Sequence, residues 1–267
     1  MILIVYTETE NISMLSGNAL SEMMDLEECI YMGMDAYSNH NIMLVNANCN
    51  LLNAEQFKDV DAEMIIFMGR HRSSKGVSSF TSHATGNFTG NTEYGGLPNI
   101  LCKAEPRVML SLLRLFGTTC GAHKVTYEAT HHGPFAKAPV VFAEFGGSEF
   151  ISARIEPRIL AEAVKNAVYA YTENRIEYKK AVIGFSGSHY PDKFTKLALE
   201  KGYAFSHIFP EYAMVNNGIV SDMIEQAIYS TTLKNDNAVI EWKGFNSKER
   251  EVILKKLENL GMDYERV

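Results

Sequence analysis

Short runs that are apolar at almost every position recur along this chain: Ile2-Leu-Ile-Val-Tyr6, Met64-Ile-Ile-Phe-Met68 and Ala181-Val-Ile-Gly-Phe185. A strand with no polar face must be covered on both sides, as strands are in a parallel or mixed sheet enclosed by other layers. Further strands are predicted over Glu28–Met32, Ile42–Asn46, Val125–Ala129, Val140–Phe145, Tyr203–Phe209 and Ala238–Trp242. Helical patterns separate them: Asn11 to Met24, Pro106 to Phe116 with Gly117 as its stop, Asp192 to Gly202 with Asp192 as N-cap, Asp222 to Tyr229, and Ser247 to Leu260. The clearest helix is Glu156 to Thr172, whose Ile159, Leu160, Ala163, Val164, Ala167, Val168 and Tyr171 fall at helical spacing and belong to the core. The alternation, without repeat or linker, predicts a single α/β domain over residues 1–267, with a mixed, mostly parallel sheet and helices on both faces.

With 267 residues, 46% of them hydrophobic, the chain can bury a large core. No apolar run approaches the ~20 residues of a membrane span, and the first strand is too short, and lacks the basic leader, for a signal peptide. A cytoplasmic protein is expected. Cys29, Cys49, Cys102 and Cys120 are widely spaced with no CxxC, which indicates neither a thiolate zinc knuckle nor a disulfide framework. The net charge of −7 argues at first against a nucleic-acid partner. Its distribution weakens that objection: residues 1–57 carry eight acids and no Lys or Arg, whereas Gly69 to Lys137 carries eight Lys/Arg, three acids and five of the eight histidines.

The residues suited to chemistry gather in that segment and beyond it. Met64–Met68 runs into Gly69-Arg-His-Arg-Ser-Ser-Lys-Gly76, a basic loop at the carboxyl end of a buried strand, where open α/β sheets place ligand sites. From Arg70 to Asn99 apolar periodicity is weak and Gly, Ser, Thr and Asn abound, so a long binding loop is expected, with His71, His83 and Asn87 as its candidates. Next comes Tyr127-Glu-Ala-Thr-His-His-Gly-Pro-Phe135, running on to Glu144 and Glu149. On an extended backbone neighbouring side chains point to opposite faces, so only one of His131 and His132 is expected in a cleft. Finally, Ser186-Gly-Ser-His-Tyr-Pro191 places Ser188, His189 and free backbone N–H groups beside a helix start, suited to an anion or a polarised oxygen.

Six histidines, His71, His83, His131, His132, His189 and His207, fall in loops or at strand ends. Each taken singly also has a structural reading as a hydrogen-bonded core residue. As a set they fit two chemistries. In one, two or three of them with Glu144 or Glu149 bind zinc, which acidifies a water molecule. In the other, a histidine acts as general base on water while N–H groups near Gly86 or Gly187 receive an oxyanion. No HExxH spacing exists, so a metal would have to be held from distant segments. No GxSxG elbow exists either, which ranks Ser148, Ser186 and Ser188 low as nucleophiles; Cys120, near His123, is a further option.

Several blocks carry a resemblance. Arg70-His71, Ser74, Gly76, Thr81, His83, Gly86-Asn87, Glu128-Ala-Thr-His-His-Gly-Pro134, Ser188-His-Tyr190, Thr195, Tyr203-Ala-Phe205, His207-Ile208, Pro210 and Tyr212-Ala213 resemble, in order along nearly the whole chain, the archaeal and plant D-aminoacyl-tRNA deacylases of the second type. Two blocks depart from that pattern: Gly-Gly-Gly-His is here Ser186-Gly-Ser-His189, and Glu-Ile-Gly-Ser-Thr-Glu is here Glu144-Phe-Gly-Gly-Ser-Glu149. The resemblance implies hydrolysis of the ester between a D-amino acid and the terminal ribose of tRNA. It also implies a fold similar to nucleoside phosphorylases and peptidyl-tRNA hydrolases, and zinc as cofactor. On this reading His131, His132, His83 and Glu144 are the catalytic candidates, and His83, His131, His132 and Glu149 the metal ligands. Arg70, His71, Arg72, Lys75, Asn87, Ser188 and His189 would meet the 3′ end of aminoacyl-tRNA. A monomer with no membrane partner is expected. Two other classes stay open: a phosphorylase-like enzyme with phosphate at the Gly-rich turns, and a non-catalytic RNA-end binding module with Phe80, Phe88 and Tyr94 exposed beside the basic loop.

Overall fold

The computed structural model describes residues 1–73, 76–147, 155–215 and 217–267. The expected α/β architecture with mixed, mostly parallel strand pairing is present, divided among the described residues into two sheets rather than one. The first contains β1 (Ile2–Tyr6), β2 (Glu27–Tyr31), β3 (Met34–Ser38), β4 (Ile42–Asn46), β5 (Met64–His71), β6 (Ser79–His83), β7 (Lys124–Tyr127) and β8 (Val140–Gly146), in the order β2-β3-β4-β1-β5-β8-β6-β7. The second contains β9 (Lys180–Ser186), β10 (Tyr203–Pro210), β11 (Asn237–Ile240) and β12 (Tyr264–Arg266), in the order β10-β9-β11-β12, all parallel. The helices are α1 (Asn11–Met23), α2 (Pro106–Thr119), α3 (Glu156–Thr172), α4 (Asp192–Lys201), α5 (Asn217–Tyr229) and α6 (Ser247–Asn259). Among the described residues no helix is long and apolar enough to cross a membrane.

The double-sided apolar strands behave as their sequences require. Ile2, Ile4 and Tyr6 join Met64, Ile66 and Met68 in one core with residues of α1, α2 and α3. Leu3, Val5, Ile65 and Phe67 face the other side, where Leu51, Phe57 and Ala136 cover them. Each such buried aliphatic or aromatic side chain contributes about 1.5–3 kcal/mol. In the second sheet Val182 and Phe205 pack with Phe194 of α4, while Ile183 and Phe185 pack with Ile224 of α5 and Ile253 of α6.

Four departures from the sequence expectations have physical causes. The stretch from Arg70 to Asn99 is no continuous loop: β5 extends to His71, and β6 is fully buried although Phe80 is its one large apolar residue. Its serine and threonine hydroxyls hydrogen-bond internally, with the Ser82 hydroxyl donating to the Phe142 carbonyl at 2.9 Å. A further strand, β3, pairs with β2 through a tight turn in which Met32 and Gly33 both have positive φ. Helix α2 continues past Gly117 to Thr119, because a single glycine costs only about 1 kcal/mol in a helix. Asp192 is the first helical residue rather than the cap; Pro191 holds the cap position and the Asp192 carboxylate pairs with Lys124 at 2.6 Å.

The segment 128–130 joins the two sheets. Leaving β7, Ala129 N–H donates to the His189 carbonyl at 2.8 Å and Thr130 N–H to the Ile208 carbonyl at 3.0 Å. One prediction tests the packing of the first sheet. Alanine ordinarily stabilises a helix interior over glycine by about 1 kcal/mol, but a Cβ on Gly17 of α1 would lie 2.2 Å from Cγ of Tyr6. Gly17→Ala is therefore expected to lower stability in urea unfolding by about 1–3 kcal/mol; a gain in stability would contradict the seating of α1 on β1.

Candidate active site

Strand register builds one wall. Gly69 of β5 and Thr81 of β6 both lie opposite Glu144 of β8, and His83 lies opposite Phe142. Because side chains alternate, His71 shares a face with Gly69, and His83 shares one with Thr81. Gly69 is the gap in this wall: a Cβ there would come within 2.7 Å of Glu144 Oε1. The Glu144 carboxylate, 5% exposed, lies 3.9 Å from His71 Nδ1 and 3.6 Å from His83 Nε2.

The expectation that His131 and His132 diverge is overturned. His132 has φ 45°, a left-handed conformation rare outside glycine, so the backbone is not extended there and both rings turn into one space. Ring centroids of His83, His131 and His132 lie 4.1–4.8 Å apart in every pairing.

Their tautomers follow from the backbone. His83 Nδ1 lies 3.1 Å from the Ala84 carbonyl, His131 Nδ1 2.8 Å from that of Ala129, and His132 Nδ1 2.5 Å from that of Gly133. A carbonyl only accepts, so each Nδ1 carries a proton; burial opposes a second proton on His83, yet Glu144 and Glu128 leave its pKa raised. Among the described residues His83 Nε2 is buried without a hydrogen-bond partner. Ligand atoms of the three rings all lie within 4.8 Å of one another. Backbone-anchored imidazoles with converging ring nitrogens fit a divalent metal ion. Burial, followed by the neighbouring His132 and His83, holds the His131 pKa well below its ordinary value. Burial and His83 lower that of His132 to about 4. Both are therefore neutral, as ligands must be.

Glu128, which sequence reasoning left out of the site, is its hub. It is 3% exposed, and His189 Nε2–H donates to its Oε2 at 2.8 Å. His71 Nδ1 approaches Oε1 at 3.0 Å, an ion-pair contact that is not aligned as a hydrogen bond, and His131 Nε2 lies 3.7 Å from Oε2. Burial alone would raise the Glu128 pKa; His189 and His71 outweigh it and hold the carboxyl well below the usual range. For His71 burial likewise opposes charge, yet Glu128 and Glu144 leave its pKa raised. Tyr190 and Tyr212, also missed, extend the chain, their hydroxyls 3.4 Å from His71 Nε2 and His189 Nδ1. The available signal was position: Glu128 directly follows the end of β7, three residues before His131.

The structure brings His71, His83, His131, His132, His189 and Glu144 together. Arg70 and Arg72 stand exposed at the cleft rim, with Arg72 3.4 Å from Glu10. Lys75, Ser148 and Glu149 lie outside the described residues. Ser188 stays outside the cleft, exposed, its hydroxyl donating to the Tyr190 carbonyl. Asn87 staples its own loop, its amide donating to the carbonyls of Gly95 and Leu97 at 2.8 and 3.2 Å. His207 is structural: Nε2–H donates to the Ser230 carbonyl and Nδ1 accepts from Thr130. The expected oxyanion donors are spent, since Gly187 N–H donates to Glu241 and Gly86 N–H to the His132 carbonyl. Phe80 and Phe88 are buried, and of the three aromatics only Tyr94 is exposed.

Residues 58–265 match the family model described as D-aminoacyl-tRNA deacylase. The chain is similar to the D-aminoacyl-tRNA deacylase of Methanocaldococcus jannaschii, at 33% identity over 77% of this chain and 83% of that protein. It is similar to that of Thermococcus onnurineus at 32% identity over 99% of both. A crystal structure of a conserved protein of unknown function superposes with a TM-score of 0.87 at 25% identity, covering 100% of this chain and 95% of that one.

Two outcomes are expected. Burial lowers the His207 pKa from 6.5 to about 4. Between those values the unfolded chain binds a proton that the folded chain refuses, so stability rises with pH across that window. His132 contributes in the same direction, so in metal-free protein His207→Gln should reduce the rise of urea-unfolding free energy between pH 4 and 6.5 without abolishing it. Replacing Glu128 by Gln leaves His71 and His189 without their shared charge; loss of a buried pair's partner costs about 3 kcal/mol, measurable as a lowered denaturation midpoint at pH 7.

Proposed function

The chain belongs to the D-aminoacyl-tRNA deacylase family, and from that premise we propose how its histidine cleft performs the family's reaction. The enzyme is a hydrolase: it cleaves the ester of D-aminoacyl-tRNA, releasing a free D-amino acid and tRNA. The single observation carrying the mechanism is that ligand nitrogens of three backbone-anchored imidazoles lie within 4.8 Å of one another beside a buried carboxylate. We assign His83, His131 and His132 as the residues that would hold zinc. When bound, zinc polarises an ester carbonyl and lowers the pKa of water.

The chain's own groups then have distinct tasks. Glu144 takes a proton from the attacking water and returns it to the departing ribose oxygen, so the carboxylate ends as it began. Glu128 is too firmly ionised to carry protons; it anchors His71 and His189 and fixes the far wall. Arg70, Arg72 and Lys75 meet phosphates of the tRNA end, which gives affinity without reading sequence. A phosphorylase-like reaction is disfavoured, because the Gly187 N–H that would cradle phosphate already donates to the Glu241 carboxylate, which repels anions.

The expected outcome is release of D-tyrosine from D-Tyr-tRNA with the L-ester spared, loss of turnover on thorough chelation, and recovery with zinc. His132→Ala and Glu144→Gln should each lower kcat by about 10²–10³. Full turnover by the His132 variant would remove the proposed centre, and undiminished turnover in chelated, metal-free protein would remove the zinc alone.

A further inference from the structure

His131 and His132 stand between two cavities that differ in chemistry. The larger, about 540 Å³, is lined by Glu10, Glu93, Glu128 and Glu144, with Arg70 and Arg72 at its rim, and Tyr94 stands on the border it shares with the smaller. The smaller, about 270 Å³, contains no acid or base besides those two histidines; Asn87, Phe88, Thr89, Tyr94 and Tyr212 form much of its wall. In an aminoacyl nucleotide the reacting carbonyl lies between two unlike parts. The cationic α-ammonium matches carboxylate walls. The nucleobase is flat and uncharged, with polar edges, and matches aromatic rings and amides.

We propose that the smaller cavity holds the adenine of the tRNA's terminal nucleotide, stacked on Tyr94; this rests on the aminoacyl-tRNA reading above. Tyr94 is 59% exposed at the cavity mouth, and no ring contact engages it among the described residues. Its backbone is nonetheless held in place. Gly133 N–H donates to the Tyr94 carbonyl at 3.0 Å, and the buried Asn87 amide grips the carbonyls of Gly95 and Leu97. Gly133 packs so closely on this loop that a Cβ would lie 2.2 Å from Gly96 N. The loop that carries the ring is thus tied to the turn that carries His132, so the stacking surface and the reacting centre are placed together before substrate arrives. Tyr212, 48% exposed, borders the same cavity while its hydroxyl reaches His189.

The test compares D-Tyr-tRNA with D-tyrosine methyl ester, which has no nucleoside, and uses adenosine monophosphate as inhibitor. Adenosine monophosphate should compete with D-Tyr-tRNA in the wild-type enzyme. Tyr94→Ala should raise KM for D-Tyr-tRNA about tenfold or more, weaken that inhibition in parallel, and lose far less on the methyl ester. Tyr94→Phe, which keeps the ring, should retain both KM and inhibition. Absence of nucleotide inhibition in the wild type overturns the subsite, as does an equal loss by Tyr94→Ala on both substrates, or a change confined to preference among amino-acid side chains. A wild-type enzyme that cleaves the methyl ester but not D-Tyr-tRNA overturns the underlying reading itself.

Discussion

A carboxylate that is 3% exposed cannot stay charged without partners, and Glu128 draws its partners from two different sheets. His71 comes from the end of β5 in the first sheet, and His189 from the turn after β9 in the second. Glu128 itself sits on the segment that crosses between them, where Ala129 donates to the His189 carbonyl in the turn after β9 and Thr130 to the Ile208 carbonyl of β10. The pairing therefore brings the carboxyl ends of β5, β7 and β9 to one point. Its strength also suits Glu128 to an anchoring role, with the carboxylate proposed to carry protons, Glu144, standing 3.6 Å from His83 Nε2.

The second constraint is local. One residue with positive φ, His132, cancels the alternation that would have sent two adjacent imidazoles to opposite sides. Three backbone carbonyls then fix three tautomers, which costs the fold little because those carbonyls need donors in any case. Mutual repulsion among crowded imidazoles adds to burial in keeping His131 and His132 neutral. Beside them Glu128 and Glu144 leave the pKa of His71 and of His83 raised, so the cleft sets two neutral rings next to two that favour a proton.

Much of this was legible beforehand. Runs such as Ile2–Tyr6 and Met64–Met68 required a doubly covered sheet, and the helical stripe from Ile159 to Tyr171 required a core face. The histidines of the site were legible as a set because they interrupt apolar patterns at strand ends. Strand β6 was not, because hydrophobic periodicity cannot report a strand whose buried face is polar and internally hydrogen-bonded. Glu128 was hidden for a related reason: its importance lies in contacts across 61 residues to His189 and 57 to His71, which spacing along the chain does not encode. The Gly-rich turns misled because small residues there serve close packing, as where a Cβ on Gly187 would lie 2.4 Å from Gly244 Cα, and not anion binding.

The account stands on which nitrogen of each imidazole carries the proton. Long-range ¹H–¹⁵N correlation spectra of the metal-free protein read this directly, ring by ring. The geometry requires a proton on Nδ1 of His83, His131 and His132, with Nε2 unprotonated at His131 and His132, and the opposite Nε2–H tautomer at His207. Spectra placing the proton on Nε2 of the three clustered histidines would point their lone pairs at backbone carbonyls and contradict the proposed centre.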